Sequence, residues 1–293
     1  MEHKKIQFSN YFIISTALQH LAKVIEVSRI NLFNIVTQYK AIFDCDGKDG
    51  NSKMNMIFNS WMHEKVEDFL KILESDLLQS NCNLTEISSI LGQCMYFGLS
   101  FSRIGVDFRA LMVPIFLRVI SKNLNSGILK VTKQFELDMD NYTLINRDVS
   151  MKKYQIQNET DGENRGNAPP ESLLDFQPLA TYLNGILIIF NELKVCSPIA
   201  VGHLLVSAMN TSLEGVGKSI LSFYHNEQQA FGMKEKDFFL KLCSCFAFEM
   251  LPFIQNCIKL IFPQHSRSLV QQMDSITTLQ NEMILKPIEK LLL

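Results

Sequence analysis

The sequence predicts an all-α fold, an elongated rod or bundle of antiparallel helices in two segments. Three observations support this prediction. Apolar residues recur every three or four positions along almost the whole chain, which is the spacing that gives a helix one buried face. Only 13 glycines and 8 prolines occur among 293 residues, so the tight turns that all-β folds need are scarce. Strand-like alternation of apolar and polar residues is nowhere sustained.

Composition excludes several classes of protein. A hydrophobic fraction of 47% can supply a sizeable core. The formal net charge of -2 lacks the basic excess that nucleic-acid binding requires. The sequence contains no window of 18 or more uncharged apolar residues, so it predicts no transmembrane helix. The seven cysteines are odd in number and lie mostly in apolar segments, which is typical of reduced thiols in a cytosolic protein.

The first part of the chain is predicted to form three helices before residue 103. Apolar residues at helical spacing mark the first helix from Leu21 to Ile42 and the second from Phe58 to Leu77. Asn83 and Glu86 are spaced as a capping box, in which each residue bonds to the other's backbone amide, so a third helix should begin there.

A long helix is predicted after Pro114. Proline lacks an amide hydrogen, so it should break or kink the stretch around residue 114. An apolar stripe from Phe116 to Tyr142 then keeps one face aligned over about seven turns. In the second half, Ser197 and Pro198 read as the start of a helix, and Pro252 should kink the last helical stretch.

Changes in composition predict how the chain is divided. Residues 146–175 are polar and contain glycine and proline, as expected for a flexible linker. We therefore expect a helical segment over 1–145, this linker, a C-terminal helical bundle over 176–262 and a more polar tail over 263–293.

Motifs that carry chemistry are incomplete. Gly215–Ser219 ends like a phosphate-binding loop, but its first glycine and its preceding strand are lacking. The acidic segment 44–50 fails the register of a calcium loop. Cys243 and Cys245 point to opposite sides of a helix, and Cys94 has no evident catalytic partner. We therefore predict no catalytic residues, no cofactor and no metal.

The segment from Leu91 to Arg109, LGQCMYFGLSFSRIGVDFR, differs from generic helix sequence. Gly98 and Gly105 are seven residues apart, so on one helix they would share a face and permit close approach. Arg103 and Asp107 are four apart and could pair along that helix. The segment is either a tightly packed helix–helix core or a contact with a partner. The candidate interface residues are Tyr96, Phe97, Gly98, Phe101, Arg103, Gly105, Asp107, Phe108 and Arg109.

This segment resembles the subunit 8 family of the conserved oligomeric Golgi complex. Further similar stretches, in the same order, lie at residues 26–43, 173–180, 184–187, 191–198 and 251–263, so the resemblance covers most of residues 11–263. Members of the family carry an additional N-terminal half, so we expect this chain to correspond to their C-terminal portion.

The resemblance implies a non-enzymatic subunit of a vesicle-tethering complex that acts in retrograde transport within the Golgi and in maintaining glycosylation. It implies a peripheral protein on the cytosolic face of the Golgi membrane. The implied partners are the other subunits of the complex, with SNAREs, Rab GTPases and coiled-coil tethers as further candidates. The alternatives are an unrelated all-α scaffold, or an all-α enzyme of lipid or isoprenoid metabolism.

Overall fold

Helices form every regular element in the computed structural model, which describes residues 2–43, 52–80, 82–143, 168–262 and 277–292. No strand occurs within these ranges, so the predicted all-α class is confirmed. The α-helices, in chain order, are α1 (Glu2–Phe43), α2 (Ser52–Gln79), α3 (Leu84–Ser102), α4 (Arg109–Asp140), α5 (Gln177–Val195), α6 (Gly202–Glu227), α7 (Met233–Cys245), α8 (Leu251–Ile261), α9 (Asn281–Leu285) and α10 (Glu289–Leu292).

Packing divides the chain into two units, Met1–Asn123 and Leu124–Leu293. This division lies inside α4, whereas the change in composition suggested a boundary at residue 146. Most of the predicted linker and the acidic segment 44–50 lie outside the described residues. Within the described ranges, no helix combines the length and the apolar character needed to cross a membrane.

In the first unit, residues 118–123 of α4 contact the C-terminal end of α2 and the connection that follows it. Lys122 Nζ donates to the Leu78 carbonyl at 2.8 Å, and so satisfies one of the acceptors that a helix C-terminus leaves without a partner. Arg118 forms an ion pair with Glu74 at 2.5 Å. Asn123 Nδ2 donates to the Cys82 carbonyl at 2.7 Å in the connection between α2 and α3. These bonds fix α4 beside the end of α2.

Helix α4 begins before Pro114 and continues through it, so of the predicted break or kink the break does not occur. A proline inside a helix removes the hydrogen bond to the carbonyl four residues earlier, here that of Ala110 in the first turn. Met112, Ile115 and Phe116 are buried around it. Their packing holds the helix across the missing bond.

In the second unit, α4 and α5 approach each other closely at two glycines. Gly127 of α4 faces Ile189 of α5, whose Cδ1 would lie 3.3 Å from a Cβ at residue 127. Gly185 of α5 faces Val131 of α4 in the same way, with both methyl groups 2.9 Å from a Cβ built there. Each helix therefore offers a glycine to a branched side chain of the other, and the reversed order of the two contacts makes the pair antiparallel.

The start of α6 and the stretch before Pro252 differ in detail from the sequence prediction. A 3₁₀ turn at Ile199–Val201 precedes α6, so Ser197 does not cap that helix. The kink expected at Pro252 takes the form of a π turn at Phe246–Met250, which joins α7 to α8. A wider turn before a proline is one way to accommodate its missing amide hydrogen.

The described part of the predicted tail packs onto the second unit. Leu279, Ile284 and Ile288 are buried. The Gln255 side chain holds this segment through two bonds, since its Nε2 donates to the Thr277 carbonyl at 2.8 Å and its Oε1 accepts the Leu279 amide at 2.7 Å. The sequence pattern predicts no helix in this region.

Candidate functional site

A capping box fixes the start of α3, the helix that carries most of the candidate interface residues. The Glu86 amide donates to Asn83 Oδ1 at 2.8 Å, and the Asn83 amide donates to Glu86 Oε2 at 2.9 Å. Two amides that a helix N-terminus leaves without a partner are thereby satisfied. The predicted capping box is confirmed.

A glycine turn ends α3 within the candidate segment. The Val106 amide donates to the Phe101 carbonyl at 3.0 Å, and the Gly105 amide donates to the Ser102 carbonyl at 3.1 Å. Gly105 has φ of 88°, so this is the Schellman arrangement, with glycine in the left-handed conformation that other residues adopt at a cost. Lys40 Nζ of α1 also donates to the Ile104 carbonyl at 2.6 Å.

The segment is therefore a helix, a turn and the start of another helix. The expectation that Gly98 and Gly105 share one helix face is wrong, because the backbone leaves the helix between them. Gly98 lies within α3, where an added Cβ would overlap Arg109 Cγ. Gly98 thus allows close approach between α3 and the start of α4, whereas Gly105 makes the turn.

The three phenylalanines of the segment form a buried cluster with Phe69 of α2. Phe97, Phe101 and Phe108 are each at most 2% exposed. The ring centroids of Phe97 and Phe101 are 4.9 Å apart, those of Phe97 and Phe108 are 5.1 Å apart, and both pairs meet edge to face. Phe69 meets Phe97 at 4.9 Å in the same geometry. These rings pack the core of the first unit, as the alternative of a helix–helix core predicted.

Asp107 pairs with Arg109 and not with Arg103. Arg109 Nε and Nη2 donate to the two carboxylate oxygens at 2.9 and 2.6 Å, and the Arg109 amide donates to Asp107 Oδ1 at 3.1 Å. The predicted pair between Arg103 and Asp107 is wrong, because spacing by four places side chains together only where the helix continues. The guanidinium and the amide together lower the pKa of Asp107 to about 2.

We expect the Asp107 carboxyl group to titrate with a midpoint near pH 2, below the value of about 3.9 for an unfolded chain. Because the pKa is lower in the folded state, the resulting stabilisation is present above the unfolded pKa and is lost as the pH falls toward 2. Carboxyl carbon chemical shifts followed by NMR during acid titration measure this midpoint. In Arg109→Gln the midpoint should move back toward the unfolded value, and an unchanged midpoint would contradict the assignment of the pair.

Tyr96 and Arg103 lie on the surface of the same segment. Tyr96 is 59% exposed, and the Arg29 guanidinium of α1 lies 5.2 Å from the centre of its ring. Arg29 is itself paired with Glu26 at 2.6 Å. Arg103 is exposed and makes no ion pair with any described residue. These two residues are therefore available to a partner.

Three further exposed residues of α3, which were not among the candidates predicted from the sequence, lie beside Tyr96. Gly92, Met95 and Leu99 lie on the side of α3 opposite the buried phenylalanines. The feature of the sequence that could have revealed them is the lack of charge in α3, whose only charged residue is Glu86. We call Gly92, Met95, Tyr96, Leu99 and Arg103 the outer face of α3.

The described residues of the incomplete motifs lie inside helices or in the core. Gly215 and Gly217 are inside α6, and a Cβ at Gly217 would lie 3.2 Å from the Ile284 carbonyl oxygen. Gly217 therefore serves helix packing. Cys94 is fully buried, and burial raises the pKa of its thiol to about 12, so the thiol is protonated at neutral pH. Within the described ranges, no three His, Cys, Asp or Glu side chains lie together as metal ligands would.

Comparison with known proteins identifies the family. The Dor1-like family matches residues 10–133. Conserved oligomeric Golgi complex subunit 8 of Drosophila melanogaster is 42% identical over 94% of this chain and 51% of its own length. The human protein of the same name is 37% identical over 83% of this chain and 41% of its own length. The Dictyostelium discoideum protein is 28% identical over 85% of this chain and 35% of its own length.

The chain thus spans about half the length of the fly relative and less of the others. No solved structure matches it. An unrelated helical scaffold, one of the alternatives above, is inconsistent with identity of 42% over nearly the whole chain. The chain belongs to the conserved oligomeric Golgi complex subunit 8 family.

Proposed function

We propose that this chain acts within the conserved oligomeric Golgi complex, as a non-catalytic subunit in vesicle tethering during retrograde transport inside the Golgi. The observation that carries the proposal is the 42% identity with the fly subunit over 94% of the chain. A non-catalytic role agrees with a candidate segment made of packed phenylalanines, one surface ion pair and an exposed, largely apolar outer face. Such a segment offers binding surface and structural support.

The proposed partners are the other subunits of the complex. Attachment to the Golgi membrane is peripheral, on its cytosolic face, and is mediated by the complex. SNAREs, Rab GTPases and coiled-coil tethers are further proposed partners, because a vesicle tether must recognise both the vesicle and the target membrane. The all-helical architecture supports these roles, since a partner helix can pack against an exposed helix face.

We expect an epitope-tagged copy of the chain, expressed in cells from which the endogenous subunit is depleted, to recover the other subunits of the complex. The same cells should regain surface glycans that depend on recycled Golgi enzymes, measured by lectin binding. Phe101→Ala, which removes a buried ring from the core of the first unit, provides a destabilised control. If a folded chain recovers none of the other subunits, the proposed function is wrong.

A further inference from the structure

We propose that the outer face of α3 docks an amphipathic helix from another subunit of the same complex. The docked helix presents an uncharged apolar stripe to Gly92, Met95, Tyr96 and Leu99, with a carboxylate opposite Arg103. This inference rests on the proposed function, because the partner is one of the subunits that the chain would meet in the complex.

Apart from Arg103 at its end, the outer face lacks the charges that normally cover an exposed helix surface. Helix α3 has one charged residue in 19, Glu86, and that residue is used in the capping box. Helix α2, for comparison, carries charged residues along its length, and three of its ion pairs lie on its exposed side. Met95, Tyr96 and Leu99 are 40%, 59% and 41% exposed. A contiguous uncharged patch of this kind is typical of a binding surface.

Gly92 gives this face a depression. A Cβ built at Gly92 has no other heavy atom within 4 Å, so none of the described residues requires glycine there. Glycine in a helix interior is destabilising relative to alanine. Gly98 differs, because its missing side chain makes room for Arg109. An uncompensated glycine beside exposed Met95 and Tyr96 is suited to the close approach of a second helix.

Charge complementarity indicates the polarity of the partner. Arg103 is exposed at the C-terminal end of the face and forms no ion pair with the described residues. The neighbouring Arg29 is neutralised by Glu26, and Arg109 by Asp107. Arg103, at the end of an apolar stripe, fits a helix with a matching acidic residue. An anionic membrane surface would instead select a cluster of cations.

Two variants of the full chain test the proposal. Gly92→Leu adds a side chain into open space, so the isolated chain should keep or raise its thermal midpoint while recovery of the partner subunit falls by about tenfold or more. Leu99→Glu should reduce recovery similarly, because it places a charge at the centre of the face. Ile72→Glu is the matched control: Ile72 is 47% exposed on α2, and this variant should recover the subunits as the unmodified chain does.

A photo-reactive amino acid at position 92 should form a crosslink to a helix of one particular subunit. The proposal is overturned if the unmodified chain recovers the subunits and Gly92→Leu and Leu99→Glu do so equally well. It is also overturned if the crosslink joins two copies of this chain, or if the two variants abolish flotation with anionic vesicles while leaving subunit recovery intact. Failure of the unmodified chain to recover any subunit contradicts the proposed function, and this inference with it.

Discussion

Replacing Phe101 with alanine is expected to lower the free energy of unfolding of the first unit by about 3–5 kcal/mol. The Phe101 ring is fully buried, and it contacts three other rings edge to face, with centroids 4.9 Å away for Phe97, 5.8 Å for Phe108 and 6.4 Å for Phe33. Its removal loses the transfer free energy of the ring and leaves a cavity between α1, α3 and the start of α4. The Phe101 carbonyl also accepts the bonds that end α3, so the turn should loosen with the core.

Urea denaturation followed by tryptophan fluorescence measures this loss, because Trp61 is the sole tryptophan and lies in α2 of the same unit. Tyr96→Ala is the matched control on the same helix. Tyr96 is exposed and has one cation–π contact, so its removal should cost about 1 kcal/mol or less. If Phe101→Ala cost no more than Tyr96→Ala, Phe101 would not hold the core of the first unit.

The sequence predicted correctly those features of the fold that depend on residues close together in the chain. Asn83 and Glu86 predicted the start of α3 because a capping box needs only residues three apart. The apolar spacing predicted the helices and their buried faces for the same reason. The resemblance to the family rested on the segment 91–109, and the comparison over 94% of the chain confirmed it.

The errors arose where tertiary packing or one backbone angle decided the structure. Phe101 and Phe108 are seven apart, a spacing that suits a continuing helix, so the sequence did not reveal the turn at Gly105. Because of that turn, Asp107 pairs with Arg109 and not with Arg103. Helix α4 passes Pro114 because buried neighbours hold it, which the proline rule does not include. Gly92, Met95 and Leu99 of the outer face were missed because a lack of charge has no motif.

A chain of three buried hydroxyl groups joins helices α4, α5 and α6 in the second unit. Thr132 Oγ1 donates to the Ile128 carbonyl at 2.8 Å and lies 2.5 Å from Ser212 Oγ. Since a hydroxyl group has one proton, Ser212 must donate to Thr132. The Tyr182 hydroxyl, 2.7 Å from Ser212 Oγ, then donates to Ser212. Burial raises the pKa of Tyr182 well above its usual range, so this phenol remains protonated and keeps its role as donor.

Ser212→Ala should destabilise the second unit by about 1–3 kcal/mol, because the Tyr182 hydroxyl would be left buried without an acceptor. Thr132 would keep its own bond to the Ile128 carbonyl, so the loss falls on Tyr182. Hydrogen exchange of α5 and α6 peptides, measured by mass spectrometry across a urea series, reports the change. Thr211→Ala, at an exposed neighbouring position on α6, should change stability by about 0.5 kcal/mol or less.

The double variant Ser212→Ala with Tyr182→Phe decides whether the buried donor causes the loss. Tyr182→Phe removes the hydroxyl that Ser212→Ala leaves without a partner, so the double variant should be less destabilised than the sum of the two single variants. The interaction should be about 0.5 kcal/mol or more, within the range of directly contacting residues. Strict additivity would mean that the Tyr182 hydroxyl finds another acceptor, and the order of donors along Tyr182, Ser212 and Thr132 would then be wrong.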